Sequence, residues 1–287
     1  MRLALGISYL GTAYRGWQSQ PAVETVQDAI EAALARFAGS STRLRTICAG
    51  RTDTGVHALN QVVHLDTELD RRECSWVRGC NRYLPTDIAI QWCHRVPDDF
   101  HARFHAQGRR YVYLLLQSAV RPAIESGRVG WVFRPLDGAA MREAASLLIG
   151  EHNFSAFRSS ECQALSPIRK LRNITIGRHG HYWRFDFEAN AFLHHMVRNL
   201  MGCLIAVGAG SQTASWVAGV MAGRDRSRAA PTFAPDGLYF VGPHYDIQLG
   251  LPTHTAVMDG LPGASGAGSS INGARFDAPF DASSRPS

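Results

Sequence analysis

Between Tyr182 and Glu188 the chain alternates strictly, with Trp183, Phe185 and Phe187 set against Tyr182, Arg184, Asp186 and Glu188. Successive side chains of a strand point to opposite faces, so this stretch has one face to bury and one to show. The same pattern opens the chain at Leu3, Leu5, Ile7 and Tyr9, and strand patterns return around Arg110–Gln117 and Ile168–Ile176. Between strands the apolar period lengthens to about 3.6 residues. Val26, Ile30, Ala33, Leu34 and Phe37 recur at helical spacing after Thr25 and Asp28, which resemble a capping box, and Gly39 ends the run. Ser75–Leu84, Asp137–Leu148 and a run from Phe192 to Gly208 read as further helices, while Arg45–Ala49, Gln61–Asp66 and LPTDIAIQW read as strands. Strand and helix alternate in two similar halves, which predicts two α/β domains sharing or adjoining a sheet. The order of elements leaves parallel and antiparallel pairing open. The domains are expected at residues 1–106 and 107–245, followed by a Gly-, Ala- and Ser-rich stretch, 246–287, that reads as a disordered tail.

With 45% hydrophobic residues, a chain of 287 has enough apolar material for one large core or two smaller ones. No apolar run approaches the roughly 18–20 residues of a membrane span, and MRLALGISYLG lacks the features of a signal peptide. The six cysteines are scattered, with no C-x-x-C pair, and read as reduced, mostly buried thiols rather than a zinc ribbon. The expectation is a soluble, cytoplasmic protein without a membrane partner. The net charge of +6 suits a polyanionic partner, and Lys170 is the only lysine, so nearly all the positive charge is guanidinium. Arginine suits bidentate phosphate contacts and stacking on bases. Genomic codon bias gives the same composition, so charge alone leaves the partner open.

GRTDTGVHA (Gly50–Ala58) is the sharpest motif. Gly50 and Gly55 bracket Asp53 and let the backbone turn tightly near a ligand. A carboxylate held on such a loop suits a nucleophile or a proton acceptor, and Arg51 beside it suits a phosphate. A plain turn with an Asx-type cap fits the same letters. In FHARFHAQGRRYVY (Phe100–Tyr113), aromatics interleave with Arg103, Arg109 and Arg110, as on a base-stacking, phosphate-binding surface. On a strand Tyr111 and Tyr113 share one face, and both fit a core equally well. EHNFSAFRSSEC (Glu151–Cys162) reads as a structured loop. In FLHHMVRNLMG, Arg198 and Asn199 interrupt an apolar helix, and an arginine near a core needs an acidic partner. His194 and His195, adjacent on a helix, would point about 100° apart and chelate one metal poorly, so no metal site is expected. APDGLYFVG (Ala234–Gly242) reads as a turn and a terminal strand.

Taken in order, these segments and the opening GISYLGTAYRGWQSQ resemble the TruA family of pseudouridine synthases, from about Arg2 to Tyr245. The resemblance implies isomerisation of uridine to pseudouridine at positions 38, 39 and 40 in the anticodon stem-loop of tRNA, with no metal, nucleotide or redox cofactor. It implies an α/β (α+β) fold of two ferredoxin-like halves whose sheets join across a central catalytic cleft, and a homodimer in which one tRNA touches both subunits. By resemblance Asp53 is the essential carboxylate, either nucleophile at C1′ or base at C2′, and Arg198 is its basic partner. Tyr111 stacks on the target uracil and assists proton movement at C5. Leu238 packs on the same base, and Arg51 engages the RNA backbone or fills the space of the extruded nucleotide. An RNA-binding module without catalysis would keep the arginines and aromatics but would not need Asp53. A hydrolase or phosphotransferase would need a cluster of metal-binding carboxylates, and the sequence has none.

Overall fold

The computed structural model describes residues 1–252. Its elements follow in the order β1 (Arg2–Tyr9), α1 (Val26–Ala38), β2 (Ile47–Cys48), β3 (His57–Asp66), α2 (Glu73–Asn81), β4 (Ile88–Val96), β5 (Gly108–Gln117), β6 (Gly130–Val132), α3 (Gly138–Ser146), β7 (Gly150–Asn153), β8 (Ile168–His179), β9 (Tyr182–Ala189), α4 (Met196–Gly208), α5 (Ala214–Gly223) and β10 (Leu238–His244). Local chemistry explains their limits. Thr25 caps α1 by accepting from the Asp28 N–H, and Gly39, left-handed at φ 66°, ends it. Along β9, Trp183, Phe185, Phe187 and Ala189 are buried and their neighbours half-exposed, as the alternation predicts.

The strands form one sheet, in the order β4-β1-β3-β10-β5-β9-β8-β7, with β2 beside β3 and β6 beside β5. In the first half, β1-α1-β2-β3-α2-β4 places its strands as β4-β1-β3-β2. In the second, β5-α3-β8-β9-α4-β10 places them as β10-β5-β9-β8. Each half is therefore a ferredoxin-like split βαβ unit. They join where β10, antiparallel to β5, pairs in parallel with the start of β3 through Tyr239–His57 and Phe240–Ala58.

The helices cover one face of the sheet. Leu3, Leu5 and Ile7 of β1 pack with Ile30 and Leu34 of α1 and Trp76 of α2, while Phe185 and Phe187 of β9 pack with Met141 of α3, Leu200 of α4 and Val217 of α5. Tyr111 touches both cores, so it stands at the seam. On the opposite face Ala4, Val62, Trp92 and Phe100 form a smaller cluster. Against it pack Tyr245, Leu249 and Leu251, and Ile247–Leu249 forms a 3₁₀ turn. The expectation of disorder from residue 246 is thus corrected for 246–252, because two leucines give that stretch an apolar anchor which the average composition conceals. Residues 253–287 of the expected tail lie outside the described residues. All six cysteines are free, and Cys80, Cys93 and Cys203 are buried.

Candidate active site

The loop carrying Asp53 is held by the segment that follows β1. Trp17 donates its N–H to the Thr52 carbonyl at 3.0 Å, and the Tyr9 hydroxyl pairs with the Thr52 hydroxyl at 2.8 Å. Gly16, at φ 86°, lies so close that a Cβ there would come within 2.8 Å of the Thr52 oxygen. Within the loop the Val56 N–H returns to the Asp53 carbonyl at 3.1 Å, and Gly55, at φ 78°, takes a left-handed turn that a side chain would strain. Gly50 does not have this property: a Cβ there would meet nothing closer than Phe240 at 3.8 Å. Of the two bracketing glycines, only Gly55 is required by the turn. His57 ties the loop to the other half, accepting from the Gly11 N–H at 2.9 Å and donating to the Asp236 carbonyl at 2.9 Å. Burial keeps His57 neutral by lowering its pKa.

Across the seam, the start of α4 comes to the same carboxylate. Helix is expected from Phe192, but α4 begins at Met196, because His195 before it is left-handed at φ 62°. That turn brings both histidines onto Asp53. His194 Nε2 lies 3.2 Å from Oδ1 and His195 Nε2 3.5 Å from Oδ2, while Arg198 Nη1 stands 3.7 Å from Oδ2. The expectation that adjacent histidines diverge is corrected, since it presumed helix at both. Their approach has a cost, because left-handed backbone is unfavourable for a side-chain-bearing residue by about 1–2 kcal/mol. EHNFSAFRSSEC supplies the brace: Ser159 donates its N–H to the His194 carbonyl at 3.0 Å, and buried Asn199 donates to the Phe157 carbonyl at 2.8 Å. Phe154 and Phe157 are core residues.

Burial would raise the Asp53 pKa, but the hydrogen bond from His194 and the charges of His195, His194 and Arg198 outweigh it and hold the carboxyl below its ordinary value. Asp53, at the first turn of α4, also lies where the helix dipole favours a negative charge. The histidines shift in opposite directions. The hydrogen bond to Asp53 raises His194, whereas burial lowers His195. Of the two, His194 is therefore the more readily protonated. Asp53, His194 and His195 offer ligand atoms within 4.8 Å of one another. The guanidinium of Arg198 is a fixed positive charge on the same carboxylate and opposes a divalent ion there, so the donor set fits an ion-pair network better than a metal centre.

Tyr111 lies on β5 beside this group, between Phe192, edge-on at 5.1 Å, and Phe240 at 5.0 Å. Burial, with the charge of Asp53 adding to it, pushes its phenol well above the ordinary range, so at neutral pH it stays protonated. The two tyrosines of RRYVY separate: Tyr113 is fully buried, its hydroxyl on the Ala234 carbonyl at 2.9 Å. Leu238 faces Tyr113 in the ladder, on the Tyr111 side of the sheet, and is 3% exposed. Arg51 is exposed next to Asp53 and forms no ion pair among the described residues. Arg109 and Arg110 are not free for phosphate. Arg109 donates to the carbonyls of Arg103, Ala106, Ala49 and Asn190, which anchors the strand entering the Asp53 loop, and Arg110 pairs with Asp186 at 2.5 Å. Arg103 keeps its charge at the surface, beside exposed Phe104.

At the seam of the two ferredoxin-like halves the structure gathers an ionised carboxylate, three cationic or imidazole side chains around it and a protonated phenol beside it, an arrangement suited to chemistry through a single carboxylate. Residues 6–105 and 144–246 match the family model for tRNA pseudouridine synthase. The chain belongs to the tRNA pseudouridine synthase family, whose members are isomerases. Over 262 residues it is 70% identical to a protein of Methylibium petroleiphilum named tRNA pseudouridine synthase A, covering 91% of this chain and 100% of the relative. Proteins of the same name from Polaromonas sp. and Polaromonas naphthalenivorans are each 60% identical over 266 residues, with the same coverage.

Proposed function

We propose that this chain isomerises uridine to pseudouridine at positions 38, 39 and 40 of the tRNA anticodon stem-loop, with Asp53 as the reacting carboxylate. The observation that carries the reading is the state of Asp53: ionised, oriented by His194 and Arg198, and held on a loop tethered from both halves. Breaking the N-glycosidic bond by attack at C1′ or by proton removal at C2′ requires the negative charge that this clamp maintains. A stacked base cannot rotate, so the target nucleotide must leave the stack, at a cost of a few kcal/mol. Tyr111 supplies a face on which the extruded uracil stacks, recovering about 1–3 kcal/mol. Once C5 is bonded to the ribose it must lose its proton, and the Tyr111 hydroxyl assists by taking up that proton as it passes its own on. Arg198 fixes the carboxylate rather than the RNA, since its Nε already donates to the Phe233 carbonyl at 2.8 Å. Arg51 takes the RNA backbone at the loop, and Leu238 backs the base from below.

The same reading has the enzyme work as a cytoplasmic homodimer. It is consistent with the absence, among the described residues, of any helix long and apolar enough to cross a membrane, and with exposed Trp131 and Phe133 on and after β6. Mass measurement of the protein with and without tRNA tests the dimer. The reading as a whole is tested by incubating unmodified tRNA with the enzyme and mapping pseudouridine along it. Pseudouridine at 38, 39 or 40 is the expected result. Modification only elsewhere, or retention of unmodified RNA, contradicts it.

A further inference from the structure

Beside His195 of the Asp53 clamp lies an open cavity of about 630 Å³ that the reading above does not use. Arg158, Arg224 and Arg226 line it, together with Ser159, Asp225 and His195. The three arginines come from separate places: Arg158 from the loop before β8, Arg224 from the end of α5, and Arg226 from the 3₁₀ turn that follows. Among the described residues none of the three forms a salt bridge. Arg226 donates only to neutral groups, the Asn199 side-chain oxygen at 3.1 Å, the Thr232 hydroxyl at 3.0 Å and the Ala229 carbonyl at 3.5 Å, and Arg158 only to the Ala164 carbonyl at 3.5 Å, so no anion yet balances either charge. The one carboxylate present, Asp225, spends its Oδ1 on the N–H and hydroxyl of Ser227. Three guanidiniums around one cavity repel one another, and an anion between them removes that repulsion.

The shape of the group narrows the anion. A guanidinium fork matches the paired oxygens of a phosphate, and hydroxyls such as Ser159 add single donors. Arg224 holds a left-handed backbone, φ 54°, where glycine or asparagine is the usual residue, so a long cationic side chain occupies a position that backbone preference alone would not give it. The cavity also shares a wall with the reaction centre. His195 lines it, and the Nε2 of that ring lies 3.5 Å from Asp53 Oδ2. A phosphate seated here is one histidine away from the carboxylate.

We infer that this cavity binds an internucleotide phosphate of the RNA backbone next to the target uridine, held by Arg158, Arg224 and Arg226. The inference rests on the proposed pseudouridine synthase activity and adds a phosphate subsite to it. The tested forms are the full-length protein, Arg224→Asn, which suits the left-handed backbone, and Arg158→Gln, at a position apart from the helix end. The RNA is an anticodon stem-loop with a neutral methylphosphonate placed at one linkage at a time around the target.

For the wild type, one flanking linkage should cost about tenfold in affinity when neutralised. Each arginine variant should bind the unmodified RNA about tenfold more weakly and lower the slope of log affinity against log salt by about one. Neutralising the same linkage should then cost the variants little more, because both changes remove one interaction. Effects that simply add at every linkage, or slopes unchanged in both variants, overturn the subsite. A wild type that makes pseudouridine while both variants bind as it does overturns the subsite alone. A wild type that makes none overturns the parent activity and the subsite with it.

Discussion

Asp53 and His194 form a pair in which each partner's charge depends on the other's. The His194 pKa is raised by its hydrogen bond to Asp53, and Asp53 is lowered despite burial. A histidine whose folded value lies above its unfolded one contributes its full stability below about pH 6.5 and loses it as pH rises through the raised value. A carboxylate with a lowered folded value contributes above about pH 3.9 and loses that as pH falls through the lowered value. The pair is therefore most stabilising between those limits. His194→Gln should melt below wild type at pH 5–6, about the middle of that window, and converge on it at alkaline pH. In NMR titration the His194 ring should have a midpoint above about 6.5, falling back toward it in Asp53→Asn. A midpoint at or below that value in the wild type would remove His194 from the clamp. Tyr111 is tested by Tyr111→Phe, which keeps the stacking ring and removes the donor. Single-turnover pseudouridine formation should fall about a hundredfold while tRNA affinity holds, and equal rates would leave the hydroxyl without a chemical part. The structure brings Asp53, Arg198 and Tyr111 together, but only the need of Arg198 for an acidic partner stands out locally: the letters around Asp53 also fit a plain turn, and Tyr111 looks no different from Tyr113 until the whole set of motifs is taken together. His194 and His195 do not stand out, because a single left-handed residue turns both rings onto Asp53 and leaves no mark in the helical period.

The elements that place these groups are two loops and one helix start, each set by backbone geometry. The GTAYRGWQ segment holds the Asp53 loop through the Trp17 N–H on the Thr52 carbonyl, and Gly16 makes the approach possible. Gly16→Ala introduces a Cβ against the Thr52 oxygen at a left-handed position, which costs about 1–2 kcal/mol for the backbone conformation alone. The melting temperature should drop by about 3 °C or more. The pseudouridine rate should drop further than tRNA affinity, because the displaced element carries the carboxylate. A variant with wild-type melting and rate would show that the loop holds its shape without this contact. Most strands and helices can be read from the sequence because their apolar periods are clear. Helix α5 is not, since ASWVAGVMAG is small and apolar around most of its circumference and only the Thr213 cap marks its start. Arg109 and Arg110 look like phosphate ligands beside aromatics, yet one anchors four carbonyls and the other meets Asp186 from a neighbouring strand. That distinction depends on strand pairing, which residue types do not encode.

At the scale of the whole molecule, the two ferredoxin-like halves join through one strand, β10, and the site sits at that join. The first half brings Asp53. The second brings Tyr111, His194, His195 and Arg198, and His57 bridges the two through Gly11 and Asp236. The two-half architecture with a shared or adjoining sheet is legible from the repeated alternation of strand and helix, but the strand that makes the join is not, because β10 lies far in sequence from β3. A site completed only when both halves meet couples the chemistry to the integrity of the entire sheet. The central claim is that the Asp53 charge drives the reaction, and single-turnover pseudouridine formation in tRNA at saturating enzyme, wild type against Asp53→Asn, tests it most directly. Asparagine keeps the size and the turn hydrogen bonds of the loop and removes the charge. The account predicts retained tRNA binding and a rate lower by about a thousandfold or more, roughly 4 kcal/mol of barrier. An Asp53→Asn enzyme that forms pseudouridine within about tenfold of wild type would contradict it.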